Sequence, residues 1–429
     1  MQIQANNNGA VSSRYRNFVL LMLTVVYVFN FIDRQLIVIL QESIKKELQL
    51  SDTQLGLLSG FTFAVFYVTL GLPIARIADR TNRRNTVVIS LALWSIMTSV
   101  SGMVRNFVQL LLARIGVGIG EAGGSPPAHA MISDYFPPEK RSTALSIYSA
   151  GIYFGILIGF LMGGYLNQQL GWRTAFFVVG LPGIAFSLLF YFTVKEPRKG
   201  ATDVDAAAVI PQHSLGDVLK RLYANKTFVF LAMAAALNVF CIYGLTNWAP
   251  SFLARLHGMQ SNQTGKLLGP ILGIGGAIGS FAGGALTDRL GKTDKRWYLK
   301  IPAYAIIIAI PCLAAALFFH PTFLAVLGIG LCASLQSMYL GPSLAVAHGL
   351  VPASMRALTS AVFFLVINII GLGFGPLVIG IISDALMPAL GNESLRWAMS
   401  IMLLISIASV MLFLRAVKNF ASAQVTPLH

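Results

Sequence analysis

Long apolar runs recur along the whole chain, each close to the roughly 20 residues a helix needs to cross about 30 Å of hydrocarbon. They fall at about 17–40, 53–77, 86–104, 107–131, 142–168, 173–194, 227–255, 262–286, 299–318, 321–349, 356–382 and 395–415, twelve in all. In a bilayer every backbone polar group must find its partner inside the chain, so runs of this length fold as helices. A water-soluble alternative fails on charge, because 56% of the 429 residues are hydrophobic and only 11% are charged, under half the usual charged share. The sequence therefore predicts an all-α polytopic membrane protein. The opening residues MQIQANNNGAVSSRYR are polar and the first run carries an Asp-Arg pair, so a cleaved leader is not expected.

The formal net charge of +15 raises nucleic acid as a partner, but its placement argues for topology instead. With the N-terminus inside, 22 Lys and Arg fall at the cytoplasmic side, 7 at the external side, and Arg34 and Arg114 lie within spans. Both termini are then cytoplasmic, and the compact loops point to a bacterial inner membrane. Cys241, Cys312 and Cys332 sit on different spans without metal-ligand spacing, so neither a disulfide framework nor a metal is expected. No cofactor is expected either.

The chain also repeats itself. ARIADRTNRR (75–84) follows the second run and GALTDRLGKT (284–293) follows the eighth. Asp79 maps onto Asp288 at an offset of 209, Ser51 onto Ser261 at 210, and Arg141 onto Arg356 at 215. Two pseudo-symmetric six-helix bundles follow, residues 1–194 and 226–429 with a short cytoplasmic tail, joined by a polar cytoplasmic linker at 195–225. An even number of spans per half makes the repeats parallel. Within the linker, LGDVLKRLY has the pattern of a short amphipathic helix.

The two loop sequences resemble the signature of the major facilitator superfamily, with Ala75 and Asn82 standing where the first copy of that signature has glycines. NFIDRQ in the first span, SDTQLGLLSG opening the second and ARIGVGIGEAG in the fourth are similar to the Spinster branch. That resemblance implies a twelve-helix transporter working by alternating access on lysolipids or sphingolipid phosphates. It also implies that Asp79, Arg80, Arg83 and Arg84, with Asp288 and Arg289, form a cytoplasmic gate that latches the halves.

By these limits four charged side chains lie well inside the bilayer: Asp33, Arg34, Arg114 and Glu121. Each costs several kcal/mol unless paired or wetted. Asp33 and Arg114 both lie seven residues from the outer ends of their spans, roughly 10 Å deep, so they can meet. Arg114 and Glu121 are two turns apart and share a helix face, which should line a cavity. Glycines at 116, 118, 120, 123 and 124 thin the opposite face for close packing. GIGEAG (118–123) matches a dinucleotide fingerprint in form only, since that motif needs a preceding strand.

Asp33 and Glu121 are thus the candidate proton carriers. Arg114, Asn30 and Arg34 are candidate substrate ligands, with Tyr243, Asn247, Trp248, Gln336, Tyr339 and Asn368 facing them from the second half. Offset mapping places Gln336 opposite Glu121, an amide for an acid, so proton handling belongs to the first half. Phe61, Phe63, Phe66, Tyr67, Tyr148 and Tyr153 offer an apolar wall. His129 and His348 are read as packing residues. Gly151, Gly155, Gly159 and Gly163, with Gly371 and Gly375, are expected to pack the two halves together. The row in the fifth span lacks the proline of an antiporter motif.

The reading is a proton-coupled carrier, a monomer, of an amphiphilic anionic lipid. A carrier of small organic anions or drugs is the alternative. An enzyme would need a nucleophile with a base, or a metal cluster, inside the membrane, and the sequence offers none.

Overall fold

A computed structural model describes residues 12–198 and 214–423. Every regular element among them is helical. Span 1 is Ser13–Leu48, span 2 is 52–80, span 3 is Arg83–Ser101 and span 4 is Phe107–Tyr135. Pro138–Thr193 is divided at Gly171, whose φ of 79° no helix contains, into spans 5 and 6. Spans 7 to 10 are Lys226–His257, Ser261–Leu290, Trp297–Phe318 and Thr322–Gly349, span 11 is 356–390 and span 12 is Ser394–Ala423. Many of these helices outrun the apolar runs because they continue past hydrocarbon into the interface. Their length and apolarity make the chain an integral, multi-pass membrane protein.

Three further turns need left-handed backbone: Gln49 after span 1, Gly258 after span 7 and Gly391 after span 11. The starts of span 1 and the end of span 12 share one face, called here the terminal face; the opposite one is the far face. The linker helix, Leu215–Ala224, tucks Val218 and Leu222 into the cluster that holds Phe228 and Phe363.

The glycine rows do something other than expected. A Cβ at Gly151, Gly155, Gly159 or Gly163 would meet span 1 at Thr24, Phe31, Ile32 and Ile39, so that row packs within the first six spans. Gly371 and Gly375 likewise face Val239 and Phe240 of span 7. The seam between the first six and last six spans uses Gly265, Gly269 and Gly273 of span 8 against Phe160, Leu157 and Tyr153 of span 5. Spacing of four marks a close-packed face, but which neighbour fills it depends on how the helix is rotated.

A second seam joins spans 2 and 11. Each carries a π-helical segment, Leu57–Phe61 and Asn368–Gly373. Gly60 lies against the carbonyls of Leu372 and Gly373, and the rings of Phe61 and Phe374 are 5.3 Å apart.

Candidate functional site

Four charges meet at the centre of the first six spans, and adjacency along span 1 decides how. Asp33 and Arg34 are neighbours on a helix, so they project about 100° apart and turn to different hydrogen-bond partners. Asp33 turns to spans 3 and 4: Arg114 donates to its Oδ2 at 3.4 Å and the Thr98 hydroxyl to its Oδ1 at 2.7 Å. Arg34 turns to spans 2 and 4, where its Nε donates to Glu121 Oε2 at 2.7 Å.

The two pairs differ in access. Arg114 and Asp33 are each 2% exposed at the side chain, whereas Arg34 is 13% exposed and its partner Glu121 fully enclosed. The expectation that Arg114 and Glu121 line a hydrated cavity therefore gives way. The space over that face is filled by Asp33 and Arg34 from span 1, and Arg34 is the more exposed of the two guanidiniums. Three rings hold it, Phe63 at 4.5 Å, Phe31 at 4.9 Å and Tyr67 at 5.0 Å from their centroids. Such stacking is worth about 0.5–2 kcal/mol per contact. Phe63, Tyr67 and Tyr243 pack with Leu372 of span 11 in one cluster, so residues of both halves close around Arg34. Glu121 Oε1, Arg114 Nε and Asn30 Oδ1 are buried without a hydrogen-bond partner.

The glycines of span 4 make this burial feasible. Gly116, Gly120 and Gly123 abut Met97, Trp94 and Ser90 of span 3, and Gly118 abuts Phe63 of span 2. With neighbours that close on one side, the other side is left for Arg114 and Glu121.

The second-half candidates divide. Tyr243 and Asn368 are partly exposed, Asn368 opening the π segment of span 11. Trp248 is buried and donates its indole N–H to the Pro376 carbonyl. Asn247 is buried as well; its amide donates to the Tyr243 carbonyl. Trp248 has thereby used its one N–H, whereas Asn247 keeps a second amide N–H, and its Oδ1 is buried without a hydrogen-bond partner. Gln336 precedes and Tyr339 ends the 3₁₀ turn Ser337–Tyr339, both buried, and Asn238 donates to the Gln336 carbonyl. Tyr148 stacks on Tyr27 at 4.4 Å, with His129 edge-on to it.

At the terminal face, the side chain of Asp79 lies outside the described residues. Arg80, Asp288 and Arg289 are exposed, and Asp288 accepts from the Tyr298 hydroxyl at 3.2 Å. Arg83 pairs with Asp134 of span 4. The backbone N–H groups of Arg83 and Arg84 cap on the Glu196 carboxylate at 3.0 and 2.7 Å. Arg83 and Arg84 thus hold the start of span 3 against span 4 and the stretch that follows span 6.

The far face holds a network that sequence reading missed. Arg255, ending span 7, forks onto Glu42 of span 1 at 2.7 Å and onto both oxygens of Asp52 at 2.7 Å. Asp52 opens span 2 and is also bonded by Lys45 and by the Ser383 hydroxyl. The Asp384 carboxylate of span 11 accepts the N–H groups of Asp52 and Thr53 at 2.9 and 2.7 Å, capping span 2 from the other half. Gln41 adds bonds to the Asn247 carbonyl and the Ser251 hydroxyl. SDTQ carried a usable signal, since Ser51 and Gln54 form a capping box.

The Major Facilitator Superfamily model matches residues 23–372. An MFS-type efflux pump of Mycolicibacterium smegmatis is 34% identical, covering 88% of this chain and 87% of that protein. Protein spinster homolog 1 of Xenopus tropicalis is 26% identical over 87% of this chain and 74% of that one. Among solved structures, a bacterial homolog to the human lysosomal transporter Spinster, in an inward-facing and unoccupied conformation, superposes with a TM-score of 0.89. It is 31% identical and is covered in full by 97% of this chain.

Proposed function

We propose that this chain, which belongs to the Major Facilitator Superfamily, is a proton-coupled secondary transporter of an amphiphile with an anionic headgroup and an apolar tail, a lysophospholipid or sphingolipid phosphate in kind. One observation carries the reading: Arg34, the more exposed of the two central guanidiniums, is caged by three aromatic rings and ion-paired with the buried carboxylate of Glu121. An anionic headgroup bonding Arg34 competes with Glu121 for the same N–H groups. A carboxylate stripped of its guanidinium in so enclosed a place is costly as a charge, so it is neutralised by a proton. Headgroup arrival and proton uptake are thereby linked. Asp33, with Arg114 and Thr98 behind, is the second proton site.

The two six-helix bundles, residues 1–194 and 226–429, act as the moving bodies, and the polar stretch at 195–225 tethers them. Basic residues concentrate at the terminal face, which makes it cytoplasmic and the far-face network the external closure. With the far face closed, the inner face is the one that admits the headgroup. Asp79, Arg80, Asp288 and Arg289 latch the inner face when the far face opens. Alternating access requires one latch to break as the other forms.

The efflux pump relative favours a second reading, export of small organic anions or drugs, in which Arg34 acts alike but no lipid tail is accommodated. Proteoliposome flux decides. Under an imposed pH gradient, the first reading expects saturable uphill movement of lysophosphatidylglycerol or sphingosine phosphate. Movement of small aromatic anions with none of either lipid would establish the alternative. Proton-independent flux of every cargo would remove the coupling.

A further inference from the structure

The first turns of spans 1 and 5 converge at the terminal face around a cavity of about 670 Å³ that shares no residue with the central site. Arg16 and Lys140 stand at its mouth, and Leu20, Leu21, Ala144 and Ile147 line its wall. The guanidinium of Arg16 lies 4.9 Å from the Phe136 ring centroid, which fixes its direction, yet its Nε is buried without a hydrogen-bond partner. No carboxylate pairs with Arg16 or Lys140 among the described residues, Glu139 beside Lys140 being exposed to solvent. Span 1 begins at Ser13 and the helix of span 5 at Pro138, so two positive helix ends add to the two side-chain charges. Below this cationic mouth the wall turns apolar, and Leu21 and Ile147 remain 58% and 48% exposed along it.

A cationic mouth above an apolar slot, at the depth where headgroups give way to acyl chains, matches one chemistry. We propose that this cavity binds an anionic phospholipid of the terminal-face leaflet, its phosphate on Arg16 and Lys140 and one acyl chain along Leu20, Leu21 and Ile147. Two unpaired cations recognise the phosphate by charge. The apolar wall sets a lipid apart from a soluble phosphate ester. This site is independent of the cargo carried at Arg34.

The test titrates phosphatidylglycerol, phosphatidylcholine and glycerol 3-phosphate into the delipidated full chain in neutral detergent, reading bound lipid by native mass spectrometry and unfolding by heat. Phosphatidylglycerol should bind and stabilise, and Arg16→Gln and Lys140→Gln should each weaken it about five-fold. Arg16→Lys should retain most of the affinity, which a general folding defect would not allow. Ile147→Trp, filling the slot with both cations intact, should weaken it too. Undiminished phosphatidylglycerol binding in the Arg16→Gln/Lys140→Gln variant, or equal binding of phosphatidylcholine, would overturn the site. Stabilisation by glycerol 3-phosphate matching that of phosphatidylglycerol would assign the cavity to soluble phosphate esters instead.

Discussion

Replacing Arg255 by Met should shift the molecule toward a state open at the far face, and the size of the shift can be estimated. The guanidinium serves Glu42 and Asp52 together; its own side chain is 7% exposed, Asp52 is fully enclosed and Glu42 is 20% exposed. Breaking a buried pair by removing one partner costs about 3–5 kcal/mol. Lys45 and Ser383 still hold Asp52 in the variant, and Glu42 is wet enough to recover part of its solvation, so the low end applies. About 3 kcal/mol corresponds to roughly a hundredfold change in the closed-to-open ratio. Ser251 is a suitable reporter because it is wholly buried in the far-face seam. In a Ser251→Cys background, a membrane-impermeant maleimide added from the far side should react about a hundredfold faster once Arg255 is Met, while Arg255→Lys should fall between. Unchanged labelling, in a variant that inserts normally, would show that these ion pairs do not hold the far face shut.

Other outcomes follow from the same contacts. Asp384→Asn keeps the shape but loses the charge that caps two N–H groups of span 2; it should raise Ser251→Cys labelling about five- to tenfold. Asp33→Asn should insert normally and lose pH-dependent transport, and ordinary proton dependence in that variant would remove Asp33 from the coupling. Arg34→Lys keeps a cation but forfeits the fork and the ring stacking, so half-saturation for a lysolipid should rise about tenfold in a flux assay. Gly155→Val places a branched side chain against Phe31 and the Val28 carbonyl. It should lower thermal stability by about 1–3 kcal/mol, whereas the same change at Gly284, which faces open space, should not.

The central site was legible in composition and only half legible in geometry. Asp33, Arg34, Arg114 and Glu121 stand out because charge inside hydrocarbon is expensive, and the depth of Asp33 and Arg114 brings those two together. The partner of Glu121 was not legible. Equal depth leaves Arg34 and Arg114 both eligible, and the choice depends on the rotation of span 1, which neighbouring apolar side chains set. The glycine row at 151–163 misled for the same reason, since periodicity identifies a close-packed face without identifying the helix against it.

Apolar run length, together with the backbone's need to satisfy its own polar groups in lipid, is a local property of the chain; it dictates helices, their approximate ends and a membrane location. Pairing is not local. Asp52, Arg255 and Asp384 each sit at the end of a span, where a charge on its own looks like ordinary solvation of a loop. They become one buried network only when helices more than 100 residues apart close over them. Folding alone decides that, because the free energy of a charge depends on what surrounds it.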